Sequence, residues 1–310
     1  MDKKIEEIED ILKKYGQEHL LNHYDKLDEK HKKQLIEQIE NIDFALIKSL
    51  YQNANKEEKN EKDEITPIDY LDKYKLNDKY KYYEDLGKRA IKEGKLAAVT
   101  MAGGQGTRLG HNGPKGTYDI GLASHKSLFE LLCDSLKEEG KKYGVTIPWF
   151  IMTSKENNQA TIEFFEKHKY FGYKKDQNIF FFIQGELPMV DTEGKILVNE
   201  EGLIKLAADG HGGIYESLVK SGMTKKMQHM GINWVFIGGV DNCLVKMVDP
   251  VLMGIAIDKK VTVACKSVVK ANPHEKVGVF CKMNGHPKVI EYSELPEKMA
   301  EEVDDDGELK

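Results

Sequence analysis

Between residues 96 and 116 the chain reads LAAVTMAGGQGTRLGHNGPKG, an apolar run that breaks into glycines and then delivers Arg108 and Lys115. Gly103, Gly104, Gly106 and Gly110 lack side chains, so backbone N–H groups there can come close to an anion or a flat base. Arg108 adds a planar fork matched to phosphate oxygens, and Lys115 adds a compact positive charge. The spacing is that of neither common nucleotide fold. Positions 104, 106 and 110 give GxGxxxG rather than GxGxxG, and GxxxxGK[ST] fails because Lys115 follows Pro114. Glycines alone would describe a tight strand-to-helix turn; glycines with Thr107-Arg108 and Pro114-Lys115 describe a loop that lays backbone and positive charge on phosphate.

Two more stretches could do chemistry. DGHGG at 209–213 opens a predicted helix, where small residues let a nucleoside or sugar approach closely, although the same residues suit a plain helix-initiating turn. Asp241 follows the apolar run 232–240, at the carboxyl end of a strand, where open α/β sheets place their ligands. A hard carboxylate there suits Mg²⁺ bridging phosphates, and an aspartate capping the next helix is its plain alternative.

These residues need a scaffold, and the pattern from residue 96 onward supplies one. Strand-like runs at 96–102, 147–153, 178–183, 232–240, 260–269 and 277–283 alternate with helical segments at 127–142, 156–168, 213–230 and 250–258. Ser127 and Glu130 have capping-box spacing. Hairpins are expected around Asp191 to Gly194 and Asn284 to Pro287. Before residue 96 the chain reads as mainly helical. Leu35, Ile39, Ile42, Leu46 and Leu50 repeat at helical spacing, and 80–94 forms another helix ending at Gly94. Between them NANKEEKNEKDE at 53–64 has no large apolar side chain and reads as a mobile surface connection. The expected domains are a helical segment, 1–95, and an α/β catalytic domain, 96–310.

Composition narrows the function further. With Lys+Arg 46 against Asp+Glu 52 and a net charge of −6 over 310 residues, the chain lacks the basic face a nucleic-acid binder needs. The charged N-terminus MDKKIEEIED and the absence of a membrane-length apolar run argue against secretion and membrane insertion, so a cytoplasmic protein is expected. Cys133, Cys243, Cys265 and Cys281 are widely separated and read as reduced core thiols. His19, Lys32 and His168 read as solvated surface. The sequence does not define an oligomeric state.

The stretch AGGQGTRLG…PKGTYDIGL resembles the signature of the eukaryotic-type UDP-sugar pyrophosphorylases, and is most similar to the branch that makes UDP-N-acetylglucosamine. PWFIMTS, FFEKHKYFG, FFIQGELP, AADGHGGIYESL, VDN, VGVF and EYSE follow in family order, so the resemblance covers residues 90–295. It implies a mixed, mostly parallel Rossmann-like nucleotidyltransferase sheet of the GT-A type with an N-terminal helical segment. The implied reaction joins UTP and N-acetylglucosamine 1-phosphate into UDP-N-acetylglucosamine and pyrophosphate, by in-line attack on the α-phosphorus with Mg²⁺ as cofactor. Lys115 would then contact the α-phosphate or the departing pyrophosphate, and Arg108 the β and γ phosphates. Gln184 would pair with the uracil edge, with Gly103 and Gly104 giving backbone contacts to the same base. Gly212 would lie against the nucleoside, His211, Gly278 and Glu291 would face the sugar, and Asp241 would hold the metal.

Two departures keep alternatives open. The N-acetylglucosamine branch often carries Asn where this chain has His211, and a His–Gly pair there is similar to the UDP-glucose branch. Family members also continue into an Asn-containing segment that recognises the N-acetyl group, then into a further phosphate-binding lysine. Neither has a counterpart before the acidic stretch EYSELPEKMAEEVDDDGELK. The expectations are therefore a UDP-N-acetylglucosamine pyrophosphorylase or a piece of one, a UDP-glucose or broad UDP-sugar enzyme, or a non-catalytic UDP-sugar-binding module.

Overall fold

Runs such as LAAVTM and WFIMT are apolar at nearly every position, the mark of strands covered on both faces. The computed structural model describes residues 2–55, 63–303 and 309. The expected mobile connection at 53–64 therefore lies mostly outside the described residues, and so does most of the acidic stretch beyond 303. The elements in order are α1 (Asp2–Tyr15), α2 (Glu29–Glu40), α3 (Phe44–Ala54), β1 (Ile65–Pro67), α4 (Lys79–Lys92), β2 (Leu96–Met101), α5 (Leu128–Tyr143), β3 (Trp149–Thr153), α6 (Asn158–Lys167) and β4 (Ile179–Ile183). There follow β5 (Glu186–Pro188), β6 (Leu206–Ala208), α7 (Ile214–Lys220), α8 (Met223–His229), β7 (Trp234–Gly239), α9 (Pro250–Lys259), β8 (Val279–Met283), β9 (His286–Ile290) and α10 (Glu297–Ala300). Among the described residues no helix is long and apolar enough to cross a membrane.

The chain divides into two compact units, one of residues 1–56 and 90–248, the other of 57–89 and 249–310. The first is built on a parallel sheet in the order β4–β3–β2–β7. Ala97, Val99, Phe150, Met152, Phe180 and Phe182 pack one face against Ile214, Leu218 and Met227. On α5, α6 and β3, Phe129, Phe165 and Trp149 form an aromatic cluster with ring centroids 4.8–6.4 Å apart. Each such fully buried side chain contributes roughly 1.5–3 kcal/mol. Trp149 Nε1 donates to Thr100 Oγ1 at 2.8 Å, so this buried indole keeps its hydrogen bond. Ser127 caps α5 by accepting from the Glu130 N–H, as its spacing predicts.

The helical start of this unit differs from expectation in phase. Asp43 accepts the Leu46 N–H and caps a new helix, so the repeat read through Ile39 and Leu46 crosses a break. Phe44 and Ile47 are buried on α3, while Leu46 and Leu50 face out. The expected helix at 213–230 is likewise two, parted at Ser221 and Gly222, where Gly222 takes φ 76°.

The second unit pairs β1, β8 and β9 in an antiparallel sheet, with the expected turn at Asn284 and Gly285. It also crosses α4 with α9 at close range. A Cβ on Gly87 would meet the Pro250 carbonyl oxygen at 1.9 Å, and one on Gly254 the Tyr83 carbonyl oxygen at 1.8 Å. The expected strand at 260–269 does not form. Its β-branched residues pair with no strand among the described residues, and Val263, Val268 and Val269 lie exposed, so strand propensity alone does not make the element. Cysteine placement also corrects the expectation: Cys133 and Cys281 are buried, but Cys243 is half-exposed and Cys265 exposed, all four free.

Candidate active site

β2 delivers the glycine loop at its carboxyl end, beside the ends of β3 and β7. There the Ala102 N–H donates to the Met152 carbonyl at 2.7 Å and the Val240 N–H to the Met101 carbonyl at 3.0 Å. The loop closes on itself like a narrow hairpin. Gly106 N–H donates to Gly113 O at 2.9 Å and Lys115 N–H to Gly104 O at 3.0 Å. His111 and Thr117 brace it from below. The Thr117 hydroxyl donates to Pro114 O at 2.8 Å, so His111 Nε2 donates to Thr117 Oγ1 at 2.7 Å.

A residue absent from the sequence reading holds the loop's first turn. Asn157, 1% exposed, donates from Nδ2 to Ala102 O at 3.0 Å and to Gly104 O at 3.3 Å, while its Oδ1 accepts the Ser154 N–H at 2.9 Å. One carboxamide thus ties the end of β2 to the end of β3, satisfying buried backbone groups that a loop would otherwise strand.

Gly103 touches Gln184, which follows β4. A Cβ on Gly103 would lie 2.0 Å from Gln184 Oε1. Gln184 is 7% exposed, and its carboxamide sets a donor and an acceptor beside bare backbone. On the other side Lys115 Nζ lies 3.2 Å from Asp241 Oδ2, with side chains 27% and 62% exposed. Burial would raise the Asp241 carboxyl. The hydrogen bond from Lys115, the aspartate's own N–H and the charges of Lys115 and His211 outweigh it and hold the group below the ordinary aspartate range.

A third wall forms where β5 and β6 meet α7. The Asp209 N–H donates to Gly185 O at 3.1 Å, and Gly185 N–H to Ser217 Oγ at 3.0 Å. The Asp209 carboxylate presses on two glycines: a Cβ on Gly185 or on Gly213 would meet Asp209 Oδ2 at 2.2 Å. Its Oδ1 is buried and unpartnered, and burial pushes the carboxyl above its ordinary value.

The parallel sheet and its loops therefore bring together Gly103, Gly104, Lys115, Gln184 and Asp241, with His211 close enough for its charge to reach Asp241. Arg108 stands exposed on the single turn Thr107–Leu109, and Gly212 is exposed with open space around its Cα. Gly278 and Glu291 belong to the second unit, where a Cβ on Gly278 would sit 3.4 Å from Glu291 Oε1. His19 was expected to be solvated; its Nε2 instead lies 2.7 Å from Ile196 O and its Nδ1 is buried.

The profile of the UTP–glucose-1-phosphate uridylyltransferase family matches residues 43–310. The chain belongs to that family. A UDP-N-acetylglucosamine diphosphorylase of Arabidopsis thaliana is 39% identical over 93% of this chain and 61% of its own length. The UDP-N-acetylglucosamine pyrophosphorylase of Saccharomyces cerevisiae is 38% identical over 95% of this chain and 65% of its own. Among solved structures, the uridine diphosphate N-acetylglucosamine pyrophosphorylase of Trypanosoma brucei aligns with a TM-score of 0.82 and 30% identity, over 100% of this chain and 64% of that one. The chain thus spans less than two thirds of the length of these relatives, and the α/β nucleotidyltransferase fold expected from the sequence is the one these family members share.

Sequence motifs pointed to the glycine loop, Gln184 and Asp241 but not to Asn157 or Asp209. The first has no motif signal of its own, because its partners lie on another loop. The second stood inside DGHGG, where only the glycines drew attention.

Proposed function

We propose that this chain carries the nucleotide-binding core of a UTP:N-acetylglucosamine-1-phosphate uridylyltransferase, acting in the cytoplasm with Mg²⁺. The observation that carries the reading is the convergence of two dissimilar walls at the strand ends. The Gln184 carboxamide lies on bare Gly103 backbone, as a uracil edge and face require, and the Lys115 ammonium lies against Asp241, as a phosphate chain with its cation requires.

In this reading uracil lies along Gly103 and Gly104 and exchanges a donor and an acceptor with Gln184. The triphosphate then runs along the loop toward Lys115, and Arg108 closes over the β and γ phosphates as a bidentate fork. The sugar phosphate attacks the α-phosphorus, pyrophosphate leaves, and the uridylyl group is transferred without a covalent enzyme intermediate. Lys115 neutralises charge that grows between the α-phosphate and the departing pyrophosphate, so its effect falls on the transition state. In the resting site the lysine rests on Asp241, which keeps it directed across the strand ends until phosphate replaces its partner.

The donor set fits Mg²⁺ in the way such cations are usually held. Among the described residues no three His, Cys, Asp or Glu side chains form a metal cluster. A single ionised carboxylate at the strand ends, Asp241, suits an ion that keeps several waters and takes most of its other ligands from substrate phosphates. When bound, the ion would supply a further positive charge to the phosphates.

The named relatives, UDP-N-acetylglucosamine diphosphorylase and pyrophosphorylase at 39% and 38% identity, support N-acetylglucosamine 1-phosphate as the sugar substrate. His211 favours keeping glucose 1-phosphate as a second reading, because it stands at the position where the N-acetylglucosamine branch often has Asn and its charge reaches the phosphate wall. The test incubates the purified protein with UTP, Mg²⁺ and a panel of sugar 1-phosphates and follows pyrophosphate. Release confined to N-acetylglucosamine 1-phosphate supports the first reading and release with glucose 1-phosphate the second. UTP binding without release from any sugar leaves a binding module, and no UTP binding removes the nucleotide assignment.

A further inference from the structure

The helices before residue 55 have a core of their own, and the sheet does not complete it. Ile8, Leu12, Leu20, Leu35, Ile36, Ile39 and Phe44 cluster with Ile196, Leu203 and Ile204. Those last three lie on a long excursion that leaves the sheet after Gln184 and returns at Asp209. It is a β ribbon at its base, and isolated bridges Val190–Ile196 and Val198–Ile204 continue the pairing beyond it. β5 and β6 pair at its base, Met189 N–H donates to Lys205 O at 2.9 Å, and the turns at its tip are closed by Asp191 and Asn199, whose side chains accept local N–H groups at 2.8–3.0 Å. The ribbon's two feet are therefore the uracil wall, Gln184 and Gly185, and the glycine turn, Asp209 to Gly213.

The helices hold this ribbon by its backbone as well as by apolar contact. Gln17, 7% exposed, donates from Nε2 to Gly194 O at 2.9 Å and accepts the Ile196 N–H on Oε1 at 2.9 Å. Gln38 does the same to a single residue, donating to Ile204 O at 3.2 Å and accepting its N–H at 2.9 Å. Tyr51 Oη donates to Thr192 O at 2.7 Å, and the Lys195 ammonium donates to Gly16 O. Each glutamine offers the ribbon one donor and one acceptor, as a neighbouring strand would. Residues from α1 to α3 thus stand in for strands along a ribbon that would otherwise project with unpaired backbone.

A ribbon anchored at its tip cannot shift at its base without breaking those pairings. We propose that the N-terminal helices are a positioning module for the nucleotide site, acting through Gln17, Gln38 and Tyr51 on the ribbon, and through the ribbon on the separation between Gln184 and the Asp209–Gly213 turn. The proposal rests on the assignment of Gln184 and Gly212 to the nucleotide. The base is where positioning is needed. Among the described residues Asp209 is held there by its backbone bond to Gly185 and by packing on two glycines, and its buried Oδ1 has no partner to fix it. A module that restrains the ribbon from outside supplies what the local contacts lack.

The test uses the whole 310-residue protein in three forms: unchanged, Gln38→Ala and Tyr51→Phe. Both substituted side chains are only partly buried, and each leaves the apolar cluster intact. Hydrogen exchange is read by peptide at 185–189 and 206–213, with 96–102 on β2 as internal control, and UTP affinity is read by calorimetry with MgCl₂. The expected result is faster exchange at the ribbon base, control exchange unchanged, and a UTP dissociation constant raised about two- to thirtyfold, the range that changes along packed networks reach. Unchanged exchange at the base in folded variants overturns the proposal, as does faster exchange with undiminished UTP affinity. If the unchanged protein binds no UTP, the nucleotide assignment fails, and the exchange result alone still decides whether the helices restrain the ribbon base.

Discussion

Asp241 and Asp209 stand on two loops of one unit, and their environments push them in opposite directions. Asp241 is open to water on one side, takes a hydrogen bond from Lys115 and is held ionised. Asp209 is pressed between glycines, has an unpartnered oxygen and is pushed toward its neutral form by burial, with Glu216 adding to the shift and Lys220 opposing it. The first corner is organised by charge and needs only its neighbours on adjacent strands. The second is organised by shape, and its position depends on chain far away. If that contrast is right, substitutions in the first corner should damage chemistry, and substitutions in the second should alter fit and pH behaviour.

The largest expected effect is therefore at Lys115. Lys115→Ala should lower turnover by about 10²- to 10³-fold, the loss typical of removing one group that stabilises developing charge. UTP affinity measured by calorimetry should change little, because uracil is held on the other wall. Equal losses in kcat and in UTP affinity would place the lysine in ground-state binding and break the contrast with Gln184.

Next in size is the support beneath the glycine loop. Asn157→Ala leaves the buried Ser154 N–H without its acceptor and Ala102 O without its carboxamide donor, while Gly104 O keeps only the Lys115 N–H. Each stranded group costs roughly 1–3 kcal/mol, so the urea midpoint should fall clearly and UTP affinity with it. An Asn157→Ala protein with unaltered stability would show that the loop is held by its own hairpin bonds instead.

Asn157 also marks where the sequence stops being legible. Motif spacing exposed the loop, because glycines, Arg108 and Lys115 are local to one another, and the Ser127 cap was readable because its partner is three residues away. Asn157 acts on Ala102 and Gly104 through the parallel pairing of β2 and β3, and nothing in ordinary sequence spacing encodes which loops that pairing brings together. Gln17 and Gln38 were unreadable for the same reason, since a glutamine that replaces a strand looks like any helix-surface glutamine. The break at Asp43 was a different failure. Apolar spacing continues through it from Leu35 to Leu50, and nothing in that spacing reports that Asp43 caps a new helix.

A paired substitution sharpens the difference in crowding. Gly103→Ala must move Gln184, whose Oε1 would lie 2.0 Å from the new methyl group, whereas Gly212→Ala meets nothing within 4 Å. The displaced atom ends a side chain, so Gly103→Ala should cost at most about 1 kcal/mol in stability yet weaken UTP binding about tenfold through the lost uracil contact. Gly212→Ala should leave stability within about 0.5 kcal/mol. Its UTP affinity should fall less than that of Gly103→Ala, because the added methyl group has open space and displaces no side chain. Equal UTP losses in both would mean that the two glycines face the same part of the ligand.

The smallest effect reads the two aspartates directly through pH. A carboxyl raised in the folded state binds its proton more tightly there than in the unfolded chain, so Asp209 makes stability fall as pH rises from the ordinary aspartate range, about 3.9, through its raised value. A carboxyl lowered in the folded state does the reverse. The contribution of Asp241 is present above that ordinary range and is lost as pH falls through its lowered value. Asp209→Asn removes the first dependence and leaves the second. Urea midpoints near neutral pH should therefore be higher in Asp209→Asn than in the unchanged protein, and the gap should close in acid as Asp209 takes up its proton. Lys115→Met should act on the other term, weakening the acid-side loss and leaving the neutral-side slope alone. A gap that stays constant with pH would mean that Asp209 finds a partner in solution, and the shape-organised corner would then be organised by charge like the first.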